Sequence, residues 1–163
     1  MTSKADFSEE EWMRLKRAPF VAGMAISLAD PGGPIEVVKE TAATLKTVQN
    51  AAESGGRGDL VDALAQEVVA ETRQRENPLH GFKAKGALAG QEILEELGEV
   101  NRIVSGKAAP EEADAYRGWL QEAAQEAANA AKEGGFMGFR AERVSEGEQR
   151  MLDKLAEALA PPA

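Results

Sequence analysis

Cysteine is absent from this chain, His80 is its single histidine, and aromatic residues make up only 5% of its 163 positions. Without cysteine there is no disulfide and no thiolate metal ligand. With one histidine, a di-iron bundle built from paired Glu-x-x-His motifs is excluded, and no serine has an imidazole base apart from His80 itself. Basic charge is scarce as well: 19 Lys and Arg face 28 Asp and Glu, a net charge of −9. Such a charge repels nucleic acid and anionic membrane, so neither is expected as a partner.

Long apolar runs are missing too. The longest, Ala18 to Ala29, covers twelve residues, against about twenty for a spanning helix, so no membrane span is expected. Its length suits a signal-peptide core, with Lys16 and Arg17 in front, but Glu9, Glu10 and Glu11 spoil the basic leader. A buried helix and a cytoplasmic location are the expectation. The length suits one domain over residues 1–163.

What is present is helical periodicity. Ser8 and Glu11 form a capping box that starts a helix carrying Trp12, Leu15, Val21 and Leu28; Pro19 either kinks it or opens a second one. Asp30-Pro31-Gly32-Gly33-Pro34 ends that element. Ile35, Val38, Ala42, Leu45, Val48 and Ala52 recur at helical spacing and predict the inward face of a helix over 35–54, closed by Gly55-Gly56. Asp59 is the expected N-cap of a helix over 59–75 with Leu60, Val61, Leu64 and Val68 inside, broken by Asn77-Pro78. Ile93, Leu97, Val100 and Val104 share a face of a helix over 84–105.

Pro110, Glu111 and Glu112 suit the start of a helix over 110–133. Its inward face, Ala113, Tyr116, Leu120, Ala123, Ala124, Ala127 and Ala131, is small enough for close packing, which predicts a central position. Ser145 with Glu148 makes a second capping box before Met151, Leu152, Leu155 and Leu159. No segment alternates apolar and polar residues as a half-buried strand does. The expected fold is a single all-α bundle of about six helices with mostly antiparallel, up-down packing of the four long segments.

Chemistry has few places to reside. Glu92, Glu95, Glu96 and Glu99 cluster about 120° from the apolar stripe of their helix and are expected to form a solvated face rather than a metal site. Gly134, Gly135 and Gly138 match neither the phosphate-loop pattern nor the dinucleotide fingerprint. No catalytic residue, metal or cofactor is assigned.

Two segments stand out. Residues 73–85 hold Arg73, Arg75, Lys83 and Lys85 against Glu76, a net +3 between two acidic flanks. With His80 they are candidate anion-binding residues beside a helix N-terminus; the alternative is that they neutralise the preceding helix C-terminus and pair with nearby glutamates. Phe136, Met137, Phe139 and Arg140 sit in a glycine-rich stretch, where exposed aromatics are costly. They are expected to plug the open end of the bundle, or otherwise to serve as an interaction loop.

The stretch AAKEGGFMGFRAERVSEGEQRML, with SEEEWMRLKRAPFVAG and ADPGG, resembles a group of uncharacterised all-helical bacterial proteins of similar length. That resemblance implies one domain over nearly the whole chain and carries no activity. A non-enzymatic helical protein acting through protein contacts, as partner or homo-oligomer, is therefore the leading expectation. The alternative is a small-molecule (anion) binder or enzyme with a pocket near His80, Lys83 and Lys85.

Overall fold

The computed structural model describes residues 2–29, 34–132 and 144–163. Among them six helices form: α1 Glu9–Ala29, α2 Pro34–Ser54, α3 Asp59–Arg73, α4 Ala89–Lys107, α5 Pro110–Lys132 and α6 Glu146–Ala158, with no strand. None is long and apolar enough to cross a membrane. The all-α bundle is thus the architecture, and the buried side chains make one cluster to which every helix contributes.

The helix ends follow local chemistry. At the start of α1 the Ser8 amide donates to Glu11 and the Glu11 amide to the Ser8 hydroxyl, while Phe7 packs on Trp12 with ring centroids 5.7 Å apart. This is a capping box clamped by a hydrophobic staple. Ser145 and Glu148 repeat the box at α6. The start of α3 differs from expectation: Asp59 is already helical, Gly58 takes the cap position with φ 110°, and no side chain of its own caps it. Glu112 of α5 supplies the cap across the interface, accepting from the Asp59 and Leu60 amides at 3.0 and 2.9 Å. α4 starts later than the periodicity predicts, because Gly86 at φ 74° opens a short 3-10 turn instead.

α1 is continuous through Pro19, and every residue from Leu15 to Gly23 is buried. A proline inside a helix has no N–H to offer the carbonyl four residues earlier. Here that carbonyl belongs to Leu15, and the buried Tyr116 hydroxyl of α5 donates to it at 2.9 Å. Burial and, secondarily, the charge of Glu96 hold the Tyr116 pKa well above the usual tyrosine value, so the donor proton stays in place. α5 is central as expected and touches every other helix, but α1 does so too. α4 packs chiefly on α1 and α6 rather than on its sequence neighbour α3.

The inner half of α1 buries charge. Arg17 and Glu96 are 8% and 7% exposed; Arg17 donates to Glu96 at 2.9 and 2.6 Å, and Arg14 adds a bond at 2.7 Å. The acidic face expected on α4 is therefore divided. Glu92 and Glu95 are exposed, Glu99 pairs with Arg102, and Glu96 points into the bundle because two arginines of α1 meet it there. Lys16 is paired in the same way with Glu67 and Glu71 of α3. Burial depresses the Lys16 ammonium, but its bonds to Glu71 and Glu67 outweigh that and raise its pKa above the usual lysine value.

Candidate functional site

α2 departs most from its sequence pattern. Of the predicted inward residues only Val48 is fully buried; Leu45 and Ala52 are half-buried, Ala42 is exposed, and Ile35 and Val38 are 69% and 67% exposed. The face that turns inward instead carries Glu40, Thr44, Thr47, Val48 and Ala51. Three threonines of α2 bond to their own helix: the hydroxyls of Thr41, Thr44 and Thr47 donate to the carbonyls of Val37, Glu40 and Ala43. A threonine bonded in this way has its hydroxyl proton satisfied within its own helix, so it can be buried without a partner from another element although hydropathy counts it polar. Glu40 accepts from the Ser27 hydroxyl of α1.

The rotation is set by how closely α1 and α2 cross. A Cβ on Gly23 would lie 2.5 Å from Thr44 Oγ1, so the crossing requires a glycine on one side and a small side chain on the other. Gly23 meets Thr44, and one turn further along α1 Ser27 meets Glu40, one turn back along α2. The helices are therefore antiparallel.

Beside that crossing lies a cavity of about 330 Å³, lined by Phe20, Gly23, Met24 and Ser27 of α1, by Val37, Thr41 and Thr44 of α2, and by Asn77, Pro78 and Leu79. On α2 the lining residues fall within about 60° of one another, while Ile35, Val38, Ala42 and Leu45 form a second line centred about 110° away. α2 thus offers a cavity wall on one side and an apolar stripe to solvent on the other. Lys39 and Lys46 border that stripe, and neither forms an ion pair with a described residue.

The segment after α3 covers one side of the cavity. α3 ends at Arg73, and Arg75 takes the left-handed conformation at φ 63°. The Arg75 amide donates to the Thr72 carbonyl and the Glu76 amide to the Glu71 carbonyl, the pattern that usually carries glycine at the left-handed position. The Asn77 side chain accepts from the Leu79 amide and its carbonyl accepts from the His80 amide, which fixes the turn through Pro78. His80 and Gly81 follow at φ 47° and 82°. His80 Nε2 lies 3.1 Å from Glu71 Oε2, and Phe82 lies under the Arg17 guanidinium at 5.1 Å, so the segment is tied to α3 and α1.

These ties show where the candidate anion-binding residues stand. His80 faces the Glu71 carboxylate. Arg73, Arg75, Lys83 and Lys85 are exposed and make no ion pair with a described residue. Of the expected pairing with nearby glutamates, the His80–Glu71 contact is present, while the four cations stand in solvent. Phe136, Met137, Phe139 and Arg140, the interaction-loop candidates, lie outside the described residues. Sequence reasoning missed Gly23, Ser27, Thr41, Thr44 and Asn77. One signal was available, since a glycine in a helix interior costs about 1 kcal/mol and marks a close approach.

No protein-family model, curated protein or solved structure matches the chain, so no residue role passes to it from a relative.

Proposed function

We propose that this protein is a non-enzymatic binding protein that docks an acidic amphipathic helix of another protein along the outward stripe of α2. The observation that carries this reading is the exposure of Ile35 and Val38, 69% and 67%, on a helix whose opposite side is already packed. Single exposed apolar residues are ordinary, but a line of them at helical spacing is how one helix receives another. The charge of the partner follows from the border: Lys39 and Lys46 stand a heptad apart on one edge of the stripe with no described carboxylate in an ion pair with either. A second copy of this chain fits less well. Each copy carries −9, and antiparallel two-fold pairing of α2 with itself would set the lysine edges against each other.

The test uses two synthetic amphipathic helices with the same leucine stripe, one flanked by glutamates and one by lysines. Titration calorimetry should show the acidic peptide binding with micromolar affinity, weakened about tenfold by Lys39→Glu with Lys46→Glu and abolished by Val38→Asp. Equal binding of both peptides, or no binding of either, overturns the proposal. So does a dimer in sedimentation velocity that Val38→Asp dissolves, because the occupant would then be a second copy.

A further inference from the structure

We infer that the cavity between α1, α2 and the Asn77–Leu79 turn is a site for a small, neutral, mainly apolar molecule that bears one hydroxyl group. The inference is independent of the docking stripe, which lies on the other side of α2. At about 330 Å³ the cavity sits at the lower end of the range of ligand pockets. Phe20, Met24, Val37 and Leu79 give it a mainly apolar wall, and among the described residues no charged side chain lines it. An anion would therefore leave water without a counter-charge and close to Glu40, which accepts from the lining Ser27, so the wall favours a neutral molecule over an anion.

The polar groups are few and their roles are already divided. The hydroxyl protons of Ser27, Thr41 and Thr44 go to Glu40, to the Val37 carbonyl and to the Glu40 carbonyl, so those three oxygens can only accept from a ligand. On the facing side Asn77 uses its Oδ1 on the Leu79 amide, and its NH2 group has no described partner. A hydroxyl placed between them donates to a threonine or serine oxygen and accepts from Asn77, satisfying both sides at once. The turn that presents Asn77 is held before any ligand arrives, so ordering it adds no cost to binding.

The probe is 2-naphthol, with 2-naphthoate as its anionic counterpart. Fluorescence titration should give saturable one-to-one binding of 2-naphthol, with 2-naphthoate weaker by about tenfold or more. Thr41→Trp should fill the cavity and abolish binding while circular dichroism and the melting temperature stay close to those of the parent. The Thr41 side chain is exposed and bonds only to its own helix, which makes that variant tolerable. Val38→Asp, on the stripe, should leave naphthol binding unchanged even if peptide docking is lost. Absence of saturable binding, equal binding of the anion, or binding indifferent to Thr41→Trp each overturns the inference.

Discussion

From Trp12 to Pro19, α1 is enclosed by partners specific to each group: Glu67 accepts from the Trp12 indole and from Lys16, Glu96 accepts from Arg17, and Tyr116 donates to the carbonyl that Pro19 cannot serve. From Phe20 to Ser27 the same helix instead meets α2 through a glycine, and a cavity opens beside the crossing. Removing one member of a matched set in the first half leaves a buried polar group with nothing to replace it. In the second half, apart from the Ser27 hydroxyl bonded to Glu40, the contacts are steric, so added or removed volume is what matters. The half that closes the bundle and the half that leaves room for a ligand therefore respond to different kinds of substitution.

The largest effect should come from breaking the closed half. Glu96→Ala strands Arg17 inside the bundle and should cost about 3–5 kcal/mol in urea unfolding, whereas the double change Glu96→Leu with Arg17→Met should recover most of it. Equal losses in the single and double variants would show that the ion pair is not what the site requires. Tyr116→Phe comes next: it leaves the Leu15 carbonyl buried without a donor, for about 1–3 kcal/mol at nearly constant volume. A neutral result there would mean that Pro19 needs no compensation.

In the open half the sign depends on volume. Gly23→Ala sets overpacking of about 1–3 kcal/mol against about 1 kcal/mol of helix propensity, a net loss of about 1 kcal/mol. Adding Thr44→Ala removes the atom it strikes and should reverse that loss; failure of the rescue would refute steric control of the crossing. A smaller gain is expected at the segment beside the cavity, where Arg75→Gly relieves a left-handed residue and should raise the unfolding free energy in urea by about 0.5–1 kcal/mol.

The pH response is the finest probe of the charged half. For Glu67, burial pushes the pKa up, but donors from Lys4, Trp12 and Lys16 outweigh it and hold the pKa below the usual 4.5. Its contribution is thus present above pH 4.5 and is lost as pH falls through the lowered value. Lys16, raised above 10.5, contributes below that pH and loses its contribution as pH rises through the raised value. Melting curves from pH 7 down to 3 should fall more steeply for the parent than for Glu67→Gln. Parallel curves would remove Glu67 from the account.

How much was legible follows from range. Ser8 with Glu11 and Ser145 with Glu148 announced two helix starts correctly, because a capping box is complete within four residues. Asp59 misled for the opposite reason: its helix is capped by Glu112, a residue of another helix. The same holds for Glu96, which counts as one of four glutamates until Arg14 and Arg17 are beside it. Of the candidate site, His80 and its neighbours drew notice as a charge anomaly and a charged pocket was expected beside them, while the apolar walls of the cavity, which come from three separated segments, went unread.

By itself the sequence determined that this is an all-α chain, roughly where its helices begin and end, and most of the inward face of α5, though not Trp119, since those depend on backbone bonds and on periodicity within one segment. Only the tertiary structure decided which side of α2 is buried. Hydropathy favours the line from Ile35 to Leu45, but the approach to Gly23 requires Thr44 at the crossing, and the threonines satisfy their hydroxyls within their own helix. That contact turned the apolar stripe outward and opened the cavity on the other side, an outcome settled between two helices and encoded in neither alone.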